Sequence, residues 1–397
     1  MAELKERLVE IAINEIDNRK DELVELSNYI WHNPELGYKE YKACKVLADT
    51  LEKEGFQLTR KAAGLDTAFV AVKEGAKEGP CIALMAEYDA LPEIGHACGH
   101  NLFSVSAVGA ALGLSKVIDE TGGTIMVIGT PAEEGTVPDA GGKIIMLEEG
   151  IFDNVDIAMI CHAEGRTIVE RQLVASAVVK AVFTGKAAHA GGSPHEGINA
   201  LSAGILTINN INALRQHFLP RVVVNTIITE GGVTQNTIPD KCVLEMSVRA
   251  DKREVLADVM EVINNCVKAG AIATGCSYEI SSPKKTYENL ISNHNLALAF
   301  KEALDILGEP SIPTEATNYG WDAGNVSHVC PTIAPYIKIG KEELVGHTDE
   351  FREASNSEEG YSGMLIGAKA MAITSISYII DEDLRQKVEE EFKNKAL

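Results

Sequence analysis

Positive charge is scarce in this chain: 36 Lys and Arg stand against 58 Asp and Glu, a formal net charge of −22 over 397 residues. So acidic a surface argues against holding nucleic acid or an anionic membrane through a broad field, while leaving room for a local basic pocket. The eight cysteines (Cys44, Cys81, Cys98, Cys161, Cys242, Cys266, Cys276 and Cys330) include no C-x-x-C pair and no framework spacing. That excludes a small disulfide scaffold and points to a reducing compartment. The opening M-A-E-L-K-E-R-L-V-E-I-A is charged and amphipathic, unlike a signal peptide. No run reads as approaching the ~18 apolar residues of a membrane span, and no internal repeat or low-complexity linker is evident. The expectation is a soluble, cytoplasmic protein. What is present is an ordinary globular composition, 45% hydrophobic, long enough for two domains or one large domain with an insertion.

Residues 1–60 read as helices broken at His32-Asn33-Pro34. Apolar strands at Ala68–Val72, Cys81–Ala86, Gly123–Gly129 and Asp156–Cys161 then alternate with helices at Leu102–Ile118 and Gly142–Glu149. This alternation predicts an α/β domain with a mostly parallel central sheet flanked by helices. From about Ala175 the texture changes to strand Val178–Phe183, helix Asn199–Gln216, strands Val222–Thr229 and Lys241–Arg249, helix Arg253–Ala273 and strand Ser277–Ser281. That β-α-β-β-α-β order predicts an inserted ferredoxin-like α+β unit over 175–282. Residues 1–174 and 283–397 then form the larger domain, closing with helix Asn295–Leu307, strand Pro331–Ile339 and a long helix near Glu358–Ile379.

Three polar clusters each follow an apolar run: Glu87–His100, Pro131–Gly135 and His162–Glu164. Sites in such sheets lie beyond the carboxyl ends of the strands. Cys98 and His100, at i and i+2 in G-H-A-C-G-H-N, can reach one point on a turning segment. His162 and His347 are further candidates, and Glu133-Glu134 in P-A-E-E-G add carboxylates. A thiolate, imidazoles and carboxylates suit borderline-soft transition metals, and two ions with a shared ligand would use all of them. A glutamate beside a ligand glutamate is a ready general base. Other pairs, such as Glu148-Glu149, read as solvated faces, and His32, His217 and His294 as structural or exposed. His189, in G-K-A-A-H-A-G-G-S-P-H, reads equally as a loop histidine or a group reaching substrate. Arg249 ends the strand C-V-L-E-M-S-V-R, where a guanidinium suits a substrate carboxylate.

Taken in order, H-A-C-G-H-N, P-A-E-E-G, G-K-A-A-H-A-x-x-S-P-H-x-G-I-N-A-L, N-T-I-P-D, S-V-R-A and G-N-V-S-H-V-x-P-T-I resemble the co-catalytic metallopeptidase family of aminoacylases, carnosine-type dipeptidases and glutamate carboxypeptidases. The likeness runs from about Trp31 to Ala372 and is strongest to the branch with a cysteine ligand, which includes p-aminobenzoyl-glutamate hydrolase and the β-alanyl-lysine type of dipeptidase. It implies two Zn²⁺ or Mn²⁺ ions, with Cys98 bridging and His100, Glu134, His162 and His347 completing the ligands. It implies Glu133 as general base, Asp89 orienting a ligand from behind, His189 stabilising the oxyanion, and Asn236 and Arg249 holding the substrate carboxylate end. The inserted unit would be a lid that forms a homodimer interface. Glu87 stands where the wider family has a histidine ligand, Asn101 replaces an aspartate, and Gly320-Trp321-Asp322 replaces a G-S-T-D run.

The function expected is metal-dependent hydrolysis of an amide in a small N-acyl amino acid, dipeptide or aminobenzoyl-glutamate-like substrate. Two alternatives stand beside it. A cysteine hydrolase with Cys98 as nucleophile leaves Glu133, Glu134 and His347 idle. A non-catalytic metal- or peptide-binding protein, or the partner subunit of a heteromeric enzyme, would keep the fold without the chemistry.

Overall fold

The computed structural model describes residues Ala2–Lys395. The chain divides into two compact units. The first comprises Met1–Gln172, Leu290–Thr317 and Asp322–Leu397; the second comprises Leu173–Asn289 and Asn318–Trp321. The expected insertion of 175–282 is therefore extended. Ser176 and Tyr287 exchange backbone hydrogen bonds of 2.8 and 2.9 Å, and Val174 N–H donates to the Tyr319 carbonyl at 2.9 Å. These bonds draw both 283–289 and 318–321 into the second unit.

The first unit holds a six-stranded sheet in the order Gln57–Arg60, Phe69–Glu74, Thr124–Thr130, Cys81–Glu87, Ile157–Met159, Thr332–Ile333. The two pairings at its Gln57–Arg60 edge are antiparallel and the other three are parallel. The central strands are nearly continuous apolar runs because helices cover both faces of such a sheet. A second, four-stranded sheet was not anticipated. It orders Ile312–Ala316, Ile168–Gln172, Tyr336–Lys338 and His162–Glu164. The single strand expected over Pro331–Ile339 is thus two short strands in different sheets, and the run Asp156–Cys161 pairs only over Ile157–Met159 before the chain turns into His162–Glu164. Continuous apolar sequence hides such a change of partner, since burial on both faces erases the period that would mark it.

All 15 residues of helix His100–Leu114 are buried. It packs against Ala2–Asn18, Glu358–Ile380 and the strand Cys81–Glu87. Small residues permit the close approach: Gly109 faces Ala368 and Leu23, and Gly113 faces the Ala12 carbonyl. The helix Glu358–Ile380 corrects one expectation. Its 23 residues are long and apolar enough to cross a membrane, with a mean hydropathy of 1.5 in its best window, yet 83% of that window is buried inside the protein. A helix apolar all round is what a core position demands.

The second unit is one antiparallel sheet ordered Ser277–Ser281, Ala175–Thr184, Lys241–Ala250, Val223–Glu230. Helices Ala200–Leu214 and Arg253–Thr274 pack on it. Alternation in Ala175–Thr184 sends Ala175, Ala177, Val179, Ala181 and Phe183 into its core. This 4-1-3-2 order is the ferredoxin-like arrangement.

A Cβ added at Gly113 would lie 2.8 Å from the Ala12 carbonyl oxygen. Gly113→Val should therefore wedge two core helices apart and cost about 1–3 kcal/mol, read as a lowered urea midpoint with unchanged slope.

Candidate metal centre

The chemistry-bearing loops leave the carboxyl ends of parallel strands. Cys81–Glu87 delivers Glu87 and Asp89, Thr124–Thr130 delivers Glu133 and Glu134, and the chain beyond Ile157–Met159 delivers His162. His100 opens the helix His100–Leu114, and Gly99 before it has φ +79°. A Cβ at Gly99 would sit 2.4 Å from the Ala163 Cβ. Only glycine meets both demands, so the tight turn that sets Cys98 and His100 side by side depends on it. His347 arrives from a distant loop with φ 63°, tied down by its N–H donating to the Ala97 carbonyl at 2.9 Å.

Cys98 Sγ is 3.5 Å from His162 Nε2 and 3.6 Å from His347 Nε2, and His347 Nε2 is 3.5 Å from a Glu134 oxygen. Ligand atoms around one tetrahedral zinc-like ion lie roughly 3.4–3.7 Å apart, given bonds of about 2.0–2.3 Å. Among the described residues three groups of possible ligands emerge, Cys98/His100/His162, Cys98/Glu134/His347 and Glu87/His100/Glu133, each with its atoms within 4.8 Å of one another. The first two share the thiol. His100 Nε2 and Glu134 Oε1 are buried without a hydrogen-bond partner, a costly state that a bound cation relieves. The donor set suits divalent cations, which Cys98, His100, Glu134, His162 and His347 would hold.

The histidines are oriented from behind. His100 Nδ1 lies 2.9 Å from the Asp89 carbonyl and 3.3 Å from its Oδ1. His162 Nδ1 lies 2.9 Å from the Ala163 carbonyl. Both contacts favour the proton on Nδ1 and direct Nε2 inward as a ligand. Asp89 also accepts from the Glu134 N–H at 2.9 Å. Burial alone would raise Asp89, but its bonds to His100 and this backbone donor hold it below the ordinary range. Burial lowers His162 to about 4, so its ring is neutral and available. Burial, then Glu87 and Glu134, push Glu133 well up. Cys98 is pushed well up by burial and then by Glu134. Nucleophile and metal ligand alike act as the thiolate, so Cys98 requires compensating positive charge, which a bound divalent ion would supply.

His189, Asn236 and Arg249 lie in the second unit. His189 is exposed, and its Nδ1 accepts from the Gly191 and Gly192 N–H groups at 3.2 and 3.0 Å. The ring proton is thereby assigned to Nε2, a donor. The Asn236 carbonyl accepts from Ala190 N–H at 2.9 Å, which places it beside His189. Arg249 donates through one guanidinium nitrogen to the Asn318 carbonyl. His32, His217 and His294 are exposed.

Sequence reasoning missed Lys143. Its Nζ donates to Glu87 Oε2 at 2.7 Å and to Asp322 Oδ1 at 2.6 Å, and all three side chains are at most 2% exposed. Burial would lower its pKa, but Asp322 and then Glu87 raise it, so it stays charged. Glu87 is held low: burial opposes ionisation, but Lys143 and then His100 outweigh it. Glu87 Oε1 is 3.3 Å from His100 Nε2. In G-G-K-I-I-M-L-E-E the lysine looks like an ordinary first-turn surface residue, and no local signal marks it as buried.

Residues 169–274 match the peptidase dimerisation domain family. The chain is 38% identical to an Xaa-Arg dipeptidase of Mus musculus, over 97% of this chain and 92% of that one. It is 28% identical to one subunit of the p-aminobenzoyl-glutamate hydrolase of Escherichia coli, over 95% and 93% of the two chains. Among solved structures, it resembles a dinuclear metal-binding peptidase of the M20 family from Bacillus subtilis. That likeness has a TM-score of 0.67 and 22% identity, covering 88% of this chain and 98% of the other.

Lys143→Met should destabilise the protein by about 3–5 kcal/mol, because it leaves two buried carboxylates without their cation. Lys143→Met with Asp322→Leu should recover part of that loss in thermal unfolding.

Proposed function

The chain belongs to the M20 family of peptidases and amidohydrolases, and from that premise we propose that it hydrolyses the amide bond of a small N-acyl amino acid, dipeptide or aminobenzoyl-glutamate-like substrate. One observation carries this reading: Cys98 belongs to two ligand triads at once, with Glu133 adjacent in sequence to the ligand Glu134. Two divalent ions held by Cys98, His100, His162, Glu134 and His347, proposed as Zn²⁺ or Mn²⁺, would polarise the scissile carbonyl and acidify the attacking water. Glu133 takes the water's proton and passes it to the leaving amine. His189 Nε2–H is the proposed donor to the oxyanion. Arg249 and Asn236 are the proposed partners of the substrate carboxylate. The likeness to an Xaa-Arg dipeptidase puts dipeptides ending in a basic residue first in the substrate panel. A cytoplasmic location is part of the proposal, supported by eight free cysteines, one of them in the candidate metal centre.

We further propose a homodimer through the second unit. Its edge strand Val223–Glu230 pairs on one side with Lys241–Ala250. It exposes Val223, Ile227 and Ile228 at 41–54%, and the helix Ala200–Leu214 exposes Ile205, Leu206 and Leu214. An exposed apolar edge strand is a template for another chain and is rarely left bare.

Amine release should appear from at least one member of a panel of Xaa-Arg and Xaa-Lys dipeptides, N-acyl amino acids and aminobenzoyl-glutamate. It should require Mn²⁺ or Zn²⁺ and vanish with chelator. Glu133→Gln should cut kcat by about 10²–10⁴-fold while its metal content, measured by elemental analysis, stays unchanged. Folded, metal-loaded protein inert toward the whole panel would move the reading to a binding or partner-subunit role. Sedimentation should give a dimer for the native protein and a monomer for Ile227→Glu; a native monomer would refute the interface.

A further inference from the structure

Glu40 immediately precedes helix Tyr41–Lys53, in G-Y-K-E-Y, where a glutamate reads as solvated. It is instead fully buried, at 0% exposure. Its Oε1 accepts from the Ala132 N–H at 2.8 Å, and its Oε2 accepts from Thr67 Oγ1 at 2.8 Å. Ala132 directly precedes Glu133 and has φ 57°, left-handed backbone that alanine adopts only under constraint. The constraint is visible on every side. The Ala132 carbonyl accepts from the Gly141 N–H at 2.8 Å. A Cβ on Gly37 would fall 2.8 Å from the Ala132 Cβ, so the chain at residue 37 packs directly on this turn. Burying a polar group is costly unless it is hydrogen-bonded, and this carboxyl group bonds to the peptide that aims Glu133.

We propose that Glu40 is a positioning residue for hydrolysis: it clamps the Ala132 N–H, holds the left-handed turn, and so fixes the direction in which Glu133 presents its carboxylate. The inference rests on the reading of Glu133 as general base. Glu40 touches no reacting atom; it acts through one backbone peptide. Remove the acceptor and Ala132 has a buried, unanswered donor and no reason to stay left-handed. The turn relaxes and Glu133 swings. A misplacement of about 1 Å at a reacting group costs on the order of 10²-fold in rate.

The clamp needs an acceptor at the right reach, not a charge. Burial and then Asp89 push Glu40 up to about 8, so near neutral pH it is largely the uncharged acid. A glutamine is likewise uncharged and keeps an oxygen to accept from the Ala132 N–H, while the Thr67 bond reverses, the amide nitrogen donating to Oγ1. An aspartate keeps the carboxyl group and draws the acceptor back by one methylene.

The test compares Glu40→Gln, Glu40→Asp and Glu40→Ala with Glu133→Gln in the full-length protein, on whichever panel substrate is turned over. Expected is a kcat near that of the native protein for Glu40→Gln and a fall of about 10²-fold for Glu40→Asp and Glu40→Ala, with KM changed less than threefold and metal content intact. If Glu40→Ala fails to fold, Glu40→Asp decides. Full turnover in Glu40→Asp overturns the inference, as does an inactive Glu40→Gln, because charge would then be what matters. Loss of metal in the weakened variants also overturns it, since Glu40 would be holding the whole centre and not one carboxylate. Full turnover in Glu133→Gln would instead defeat the general-base reading itself; an inactive Glu133→Gln beside fully active Glu40→Asp and Glu40→Ala defeats only the role of Glu40.

Discussion

Glu87, Asp89, Glu133 and Glu134 converge with the Cys98 thiol at a point where those carboxylate side chains are 1–11% exposed. Like charges about 4 Å apart at an effective dielectric of ~20 repel by about 4 kcal/mol per pair, so the fold exists only if positive charge is delivered to the same place. Lys143 supplies one fixed cation, held between Glu87 and Asp322. Protons supply more: burial drives Glu133, Glu134 and Cys98 upward together and so favours their protonated forms. Divalent ions would replace those protons, so metal binding and the protonation of the centre are coupled.

That electrostatic demand explains the backbone around it. Side chains from four separate stretches must end within a few ångströms, and the turns that deliver them are tight. Gly99 takes φ +79°, while Ala132 and His347 take φ 57° and 63° without glycine's freedom. Each is held by a bond from elsewhere in the unit: Ala132 by Glu40, His347 by the Ala97 carbonyl. Strain stored at a site persists only when its surroundings over-determine it. The rigid floor is the buried helix His100–Leu114, wedged against Glu358–Ile380.

The second unit solves a different problem with simpler means. Its central strand Ala175–Thr184 alternates along nearly its whole length, and its exposed edge carries apolar side chains where a single chain would be expected to carry charge. Its role in association is thereby suggested by what it fails to protect, while the first unit's role in chemistry is suggested by what it buries.

Much of this was legible in the sequence. Periodicity located the strands Cys81–Glu87 and Thr124–Thr130 and the β-α-β-β-α-β insertion to within a few residues, because a half-buried strand and an amphipathic helix write their burial into local pattern. The placement of polar clusters after apolar runs singled out Cys98, His100, Glu133, Glu134 and His162 as candidates, and the fold brings them together because sites in such sheets gather beyond the carboxyl ends of the strands. What the sequence could not show is which charged residues are buried. Glu40, Lys143 and Asp322 look like surface residues by every local rule, and the helix Glu358–Ile380 did not read as the apolar span that it is. The split of the 331–339 run between two sheets was equally silent. Those facts depend on groups tens to hundreds of residues away that surround each side chain after folding. A chain's own pattern records which face turns inward; only the packed structure decides which partner waits there.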